Sequence, residues 1–217
     1  EPLWPWAAAR LEALGLTLQG RMPLMICLPG QVRAMPMPVG GNGERIALHA
    51  LSAGDADDML CEYLLAAKES FGGGEPVVSH QEIAEQRENL AAGRYTCAYV
   101  TWCDAIAGVG SISTGNDELV GVGTRPAYRR RGIAAVISSH LVLRYFEQGA
   151  AAVWLSAGDA AAAALYAKIG FQHAGVQLNY DDTHPTRGRS VVRRRGLNRS
   201  TEVPGTAADR PAGGRDR

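Results

Sequence analysis

The chain has 217 residues, 46% of them apolar and 20% charged, which suits one ordinary domain with a sizeable core and excludes a protein too polar to fold. Its 22 basic residues balance 22 acidic ones, so there is no overall positive field to gather nucleic acid or anionic membrane, and neither partner is expected. No apolar run reaches the roughly 18 to 20 residues that crossing a bilayer requires.

In chain order, residues 1–43 read as an N-terminal extension, ending in the linker-like stretch LPGQVRAMPMPVGGNG. Within it, LEALGLTLQGRMPLMIC echoes LYAKIGFQHAGVQLNY further on: Gly15 aligns with Gly170, Leu16 with Phe171 and Gly20 with Gly175. The echo is either chance or the remnant of an upstream copy of the same fold; both readings stay open. ERIALHAL, residues 44–51, alternates as a strand should. The next segment predicts a helix capped by Asp55, with acidic residues in its first turn and a glycine run from Gly72 to stop it. SHQEIAEQRENLAAGR predicts a second helix, with Ser79 and Glu82 at capping-box spacing.

RYTCAYVTW, AIAGVGSIST and NDELVGVGT follow as three short strands separated by turn signals, an antiparallel meander. After the arginine-rich TRPAYRRRGIAA, residues 133–146 place apolar side chains at helical spacing up to Gly149. AAVWLSA predicts a buried strand, DAAAAALYAKIG a helix closed by Gly170, and FQHAGVQLNY a last strand. Residues 182–217 lack aromatics, are rich in Arg, Pro, Gly and Ser, and predict a disordered tail. That tail holds nine of the arginines, which leaves a mildly acidic body suited to an amine-bearing substrate. Cys27, Cys61, Cys97 and Cys103 show no metal-ligand spacing and do not cluster with the histidines, so free thiols in a reducing cytoplasm and no metal site are expected.

The arginine stretch carries the chemistry. Arg129, Gly132 and Ala134 form an R-x-x-G-x-A spacing between a strand and a helix. A strand-to-helix turn of this kind offers orphan backbone N–H groups and the positive end of the helix dipole to a phosphate. Glycine at position 132 lets the backbone come close to such an anion. A solvated basic loop is the other reading of these residues alone.

Together, ELVGVGTRPAYRRRGIA, VWLSAGDAAAAALYAKIGF and the strand, helix, helix, three-strand order before them resemble the GNAT superfamily of acyl-CoA-dependent N-acetyltransferases, over residues 45–180. The resemblance implies an α/β fold of the α+β mixed-sheet kind, with a twisted sheet splayed at the acyl-CoA site, flanked by helices and spanning 44–181. It implies an acyltransferase that moves an acetyl or short acyl group from acetyl-CoA to a primary amine, on a small molecule or peptide, by direct transfer. A non-catalytic acyl-CoA-binding module of a tandem protein is the alternative, and a homodimer is left open.

Carried over, the resemblance puts the coenzyme A pyrophosphate on Arg129, Arg130, Arg131, Gly132, Ile133, Ala134 and Ala135. The pantetheine arm would lie along Val120, Val122, Gly123 and Thr124, with Gly121 and Gly123 fitting a bulged strand. Tyr166 matches the tyrosine that protonates the leaving thiolate, with a core tyrosine under Phe171 as the alternative. Asp159 stands where the family commonly has asparagine, so it contacts the cofactor or only caps its helix. Glu118 matches a strand position used for a carboxylate base, and on an alternating strand it shares a face with Val120 and Val122; a solvated hairpin end is the other reading. Asp117, Glu75 and His80 are weaker candidates for that base. Phe71, Gly72 and Glu75 belong to the loop expected to bind the acceptor.

Overall fold

The computed structural model describes residues 5–41, 43–72 and 76–182; the arginine-rich tail lies outside them. One seven-stranded mixed sheet organises these residues. In chain order the elements are α1 (Pro5–Ala13), β1 (Leu16–Cys27), β2 (Ile46–Leu51), α2 (Asp57–Phe71), α3 (His80–Ala91), β3 (Tyr95–Trp102), β4 (Ala105–Ser113), β5 (Glu118–Thr124), α4 (Ile133–Glu147), β6 (Val153–Ser156), α5 (Ala160–Ile169) and β7 (Gln172–Asp182). A short 3-10 turn over Pro126–Tyr128 follows β5. The strands lie in the order β2-β3-β4-β5-β6-β1-β7, antiparallel except where β5 meets β6.

Alternation along β3 and β4, interrupted on β4 by a bulge at Ala107, divides the core between two faces. Cys97, Tyr99, Ile106 and Val109 face α2 and α3, where they meet Leu60, Tyr63, Ala66 and Ile83. Ala98, Val100, Trp102, Ala107 and Ile112 face α4, whose Ile133, Ile137 and Leu141 lie on one stripe. Burying those three side chains contributes roughly 1.5 to 3 kcal/mol each. The helix approaches closely because β4 has no Cβ beneath it: one on Gly108 would stand 2.6 Å from Ile133 Cγ2, and one on Gly110 would stand 2.7 Å from Ile137 Cγ2.

Both helices predicted ahead of the meander form, with one change. Ser79 and Glu82 close a full capping box on α3. Asp55 does not cap α2: Ala56 holds the cap position, and the Asp55 carboxylate instead accepts the Ser52 amide at 2.8 Å. The first turn of α2 keeps Asp57 and Asp58 against the positive end of its dipole.

The first forty residues differ most from their reading as an extension and linker. β1 lies inside the sheet between β6 and β7, with Cys27 fully buried. Its long antiparallel partner is β7, so the two segments that echo each other in sequence are paired strands. The following stretch docks on the helices. Arg33 N–H donates to the Ile169 carbonyl at 2.7 Å, Met35 N–H donates to Ser139 Oγ at 3.2 Å, and Val32 and Met35 pack against the α4-side core.

Candidate active site

The arginine stretch becomes a tight turn into α4. Arg130 takes a left-handed φ of 64° and Gly132 one of 82°. The first backbone bond of α4 runs from Val136 N–H to the Gly132 carbonyl at 3.1 Å, and no side chain caps the helix. Among the described residues, the amides of Arg130 to Ala135 are therefore claimed by no carbonyl or side chain. A Cβ built on Gly132 meets nothing within 4 Å, so the space over the turn is open. This is a helix N-terminus with unspent donors, a place for an anion such as a diphosphate.

The arginine side chains do different jobs from one another. Arg129 donates to the Thr124 carbonyl at 3.2 Å and to the Ser70 carbonyl at 2.9 Å, so it fastens the end of α2 to the exit of β5. Arg131 lies over Trp102, 4.6 Å from the ring centroid, and 5.9 Å from that of Tyr128. Arg130 is exposed and closes no contact among the described residues. Arg125, which no sequence motif singled out, is partly buried between two acids of α2, 2.6 Å from Glu62 and 2.7 Å from Glu69, and also donates to the Ile106 carbonyl at 2.8 Å. The signal for it was the seven-residue spacing of Glu62 and Glu69, which puts both acids on one helix face.

β5 and β6 share a single paired position, Glu118 with Trp154, beside a bond from Trp154 N–H to the Asp117 carbonyl at 3.0 Å. Beyond it no ladder joins them, and β6 pairs with β1 instead. On β5, Gly121 has φ 63° and the register with β4 shifts between Val109 and Ser111. The bulge breaks the expected alternation. Leu119 and Val122 both pack toward α4, so Val122 does not share a face with Glu118 and Val120. Gly123 faces the other way, where a Cβ would run into Ser70 of α2.

Tyr166 projects from α5, its ring edge-on to Phe171 at 5.7 Å. Burial pushes its phenol up to about 12, with the Ser138 hydroxyl working in the opposite direction. Asp159 is the cap of α5, accepting the Ala162 amide at 2.7 Å. Glu118 is partly exposed at the start of β5 and accepts from Asn116 Nδ2 at 3.2 Å. Its hairpin is pinned by residues the sequence did not single out. Tyr145 donates to the Asp117 carboxylate at 2.6 Å, and Trp154 Nε1 donates to the Asn116 carbonyl at 2.6 Å. Phe71 is 66% exposed at the end of α2, followed by Gly72 with φ 77°. Glu75 lies outside the described residues.

A parted pair of strands, a bulge beside it and an open amide turn at the head of the next helix agree with what the sequence motifs imply. The model of the acetyltransferase (GNAT) family matches residues 60–171. The chain belongs to this family. Among curated relatives of this GNAT chain, the ribosomal protein bS18 alanine N-acetyltransferase of Escherichia coli K12 is 33% identical over 76 residues, covering 34% of the chain and 51% of the relative. The chain thus spans about half the length of the curated relatives it matches. Among solved structures, a GCN5-related N-acetyltransferase from Kribbella flavida shares the fold with a TM-score of 0.59 and 20% identity, covering 83% of this chain and 65% of that one. A tandem GNAT protein from the clavulanic acid biosynthesis pathway shares it with a TM-score of 0.54 and 14% identity, covering 81% of this chain and 57% of that one. Among the described residues no helix is long and apolar enough to cross a membrane.

Proposed function

We propose that the domain transfers an acetyl group from acetyl-CoA to a primary amine within a ternary complex. The observation that carries this reading is the run of unclaimed amides from Arg130 to Ala135 under open space, in the segment that leads from β5 into α4. Those amides and the exposed Arg130 guanidinium suit a diphosphate, and Val120 to Thr124 offer backbone to an extended arm by strand addition. When bound, acetyl-CoA supplies an activated thioester. Tyr166 holds a proton on its phenol oxygen to give to the departing sulfur, and its raised pKa keeps that proton in place at neutral pH. Glu118, with one side open to water, takes the amine's proton through water.

Neither buried thiol carries the acyl group. Burial pushes Cys27 and Cys97 up to about 11, which holds both as unreactive thiols. The acceptor is an amine of a peptide or small molecule; curated relatives named as alanine N-acetyltransferases of a ribosomal protein support a peptide α-amine. The test mixes the protein with acetyl-CoA and a panel of peptides and small amines. Release of free thiol that depends on the amine supports the reading. Coenzyme A binding without turnover points instead to a non-catalytic acyl-CoA module, and an absence of binding overturns both.

A further inference from the structure

The turn into α4 has little backbone support for its shape. Arg130, with φ 64°, and Gly132, with φ 82°, place left-handed backbone on either side of Arg131, and the side chain of Arg130 disfavours that conformation. A residue other than glycine stays there only where its surroundings determine it. Among the described residues, no carbonyl claims the amides of Arg130 to Ala135, so the hold has to come from side chains.

Arg131 supplies one. The residue is exposed, yet its guanidinium lies back over the indole of Trp102, 4.6 Å from the ring centroid, with the Tyr128 ring at 5.9 Å. The two rings stand 6.1 Å apart, tilted by 38°, and form one platform. That platform is fixed from below. Trp102 ends β3, is 5% exposed and belongs to the core under α4, and Tyr128 packs against the same core. The Tyr128 N–H also donates to the Arg125 carbonyl at 2.9 Å. An indole face is the strongest aromatic seat for a cation, so Arg131 ties the middle of the turn to the end of β3. Arg129 does something different, because its bonds to the Thr124 and Ser70 carbonyls fasten the chain ahead of the first left-handed residue.

We propose that Arg131 is a positioning residue: its guanidinium, seated on Trp102 and Tyr128, holds the amides of Arg130 to Ala135 in the conformation that receives a diphosphate, and does not itself reach the ligand. The inference rests on the diphosphate reading of this turn. Donors held in place before binding lose less freedom when the ligand arrives, so the clasp raises affinity without adding a contact. Of the two adjacent arginines, Arg130 is the one left to meet phosphate oxygens.

The experiment is calorimetric titration of the full chain and its variants with coenzyme A and with its 3′-dephospho form. Arg131→Ala is expected to weaken both ligands about tenfold and to leave the ratio between them unchanged. Arg131→Lys, whose ammonium can rest on the same indole, is expected to stay within about threefold of the parent chain. In a Trp102→Leu background, Arg131→Ala is expected to have no further effect. Should Trp102→Leu fail to fold, Trp102→Phe carries the test, since its weaker seat should shrink the cost of Arg131→Ala to about threefold. A loss seen with coenzyme A and absent with the 3′-dephospho form puts the guanidinium on that phosphate and overturns the proposal. Equal loss with and without the indole, a lysine variant as weak as the alanine one, or no loss at all also overturns it, while the amide turn keeps its ligand. If the parent chain binds neither form, the diphosphate reading itself fails and the proposal falls with it.

Discussion

Arg129 reaches Ser70: its guanidinium donates to the carbonyl of the last buried residue of α2 at 2.9 Å. The first arginine of the phosphate motif is therefore a fastener between the turn and the helix that leads to Phe71 and Gly72. Arg129→Ala is expected to lower stability by about 1–2 kcal/mol, the worth of a charged hydrogen bond that is partly solvated. Coenzyme A affinity is expected to change by less than about threefold, because the amides proposed to hold its diphosphate do not depend on this side chain. Calorimetric titration beside urea unfolding checks both. A tenfold loss of affinity at unchanged stability would place the guanidinium on the ligand instead.

Gly132 tests the amides themselves. A side chain there enters the open space over the turn, and its φ of 82° already disfavours any other residue. Gly132→Ala measures the left-handed strain alone, about 1–2 kcal/mol of stability. Gly132→Asp adds a carboxylate where the diphosphate would sit. Its coenzyme A affinity is expected to fall at least about a hundredfold relative to the alanine variant, or ~2.7 kcal/mol. Similar affinities for the two variants would remove the phosphate from this turn.

Tyr166 has a pH signature. Its folded pKa is raised to about 12, so the protonated acid persists through pH 10 and turnover should show no alkaline loss from this group below that. Tyr166→Phe is expected to lower kcat about a hundredfold with a near-normal KM for acetyl-CoA. Linkage gives a second readout. A group whose pKa is raised on folding contributes stability that is full below its unfolded value near 10 and is lost as pH rises through its folded value near 12. Tyr166→Phe should therefore flatten part of the stability loss between pH 10 and 12, with Tyr145, also raised to about 12, accounting for a further part. A stability curve identical to that of the parent chain over this range contradicts the buried phenol.

The ion pairs of Arg125 bind α2 to the sheet from the inside, with 13% of its side chain exposed. Arg125→Ala removes the cation and strands Glu62 and Glu69 beside each other, at an expected cost of about 3 kcal/mol. Glu62→Gln and Glu69→Gln, each at a more open partner, should cost under about 1 kcal/mol singly. Urea unfolding of the three variants checks the order. A loss in Arg125→Ala no greater than in the glutamine variants would show that α2 is held by its apolar face alone.

Local rules made much of this molecule legible. Periodicity and glycine stops placed the meander, α3, α4 and α5, and the capping box fixed the start of α3. The strand-to-helix turn was readable because R-x-x-G-x-A stands between an alternating strand and a helical run, and the structure starts α4 directly after Gly132. What stayed hidden depends on partners distant in sequence. Val122 faces α4 because Gly121 inserts a bulge, and an alternation rule has no term for one extra residue. Arg125 lies among charges that look solvated until α2 folds over it. β1 read as part of an extension because nothing in residues 16–27 announces that β6 and β7 leave a gap between them.

That gap supplies the last test, at Gly170. The residue closes α5 with φ 120°, and a Cβ there would strike the Gln31 carbonyl and stand 3.2 Å from Val32 Cα. These are backbone atoms, so neither a rotamer change nor a small side-chain shift relieves the clash. The segment after β1 must move away, and it takes with it the Arg33 N–H bond to Ile169 and the Met35 bond to Ser139. Gly170→Ala is expected to cost more than about 2 kcal/mol, combining backbone strain with lost packing. Hydrogen exchange should show the Arg33 and Met35 amides losing protection while those in the centre of β3 and β4 keep theirs. If both amides stay protected and the midpoint of unfolding does not fall, residues 28–35 do not rest on α4 and α5, and β1 is held in the sheet by its strand pairing alone.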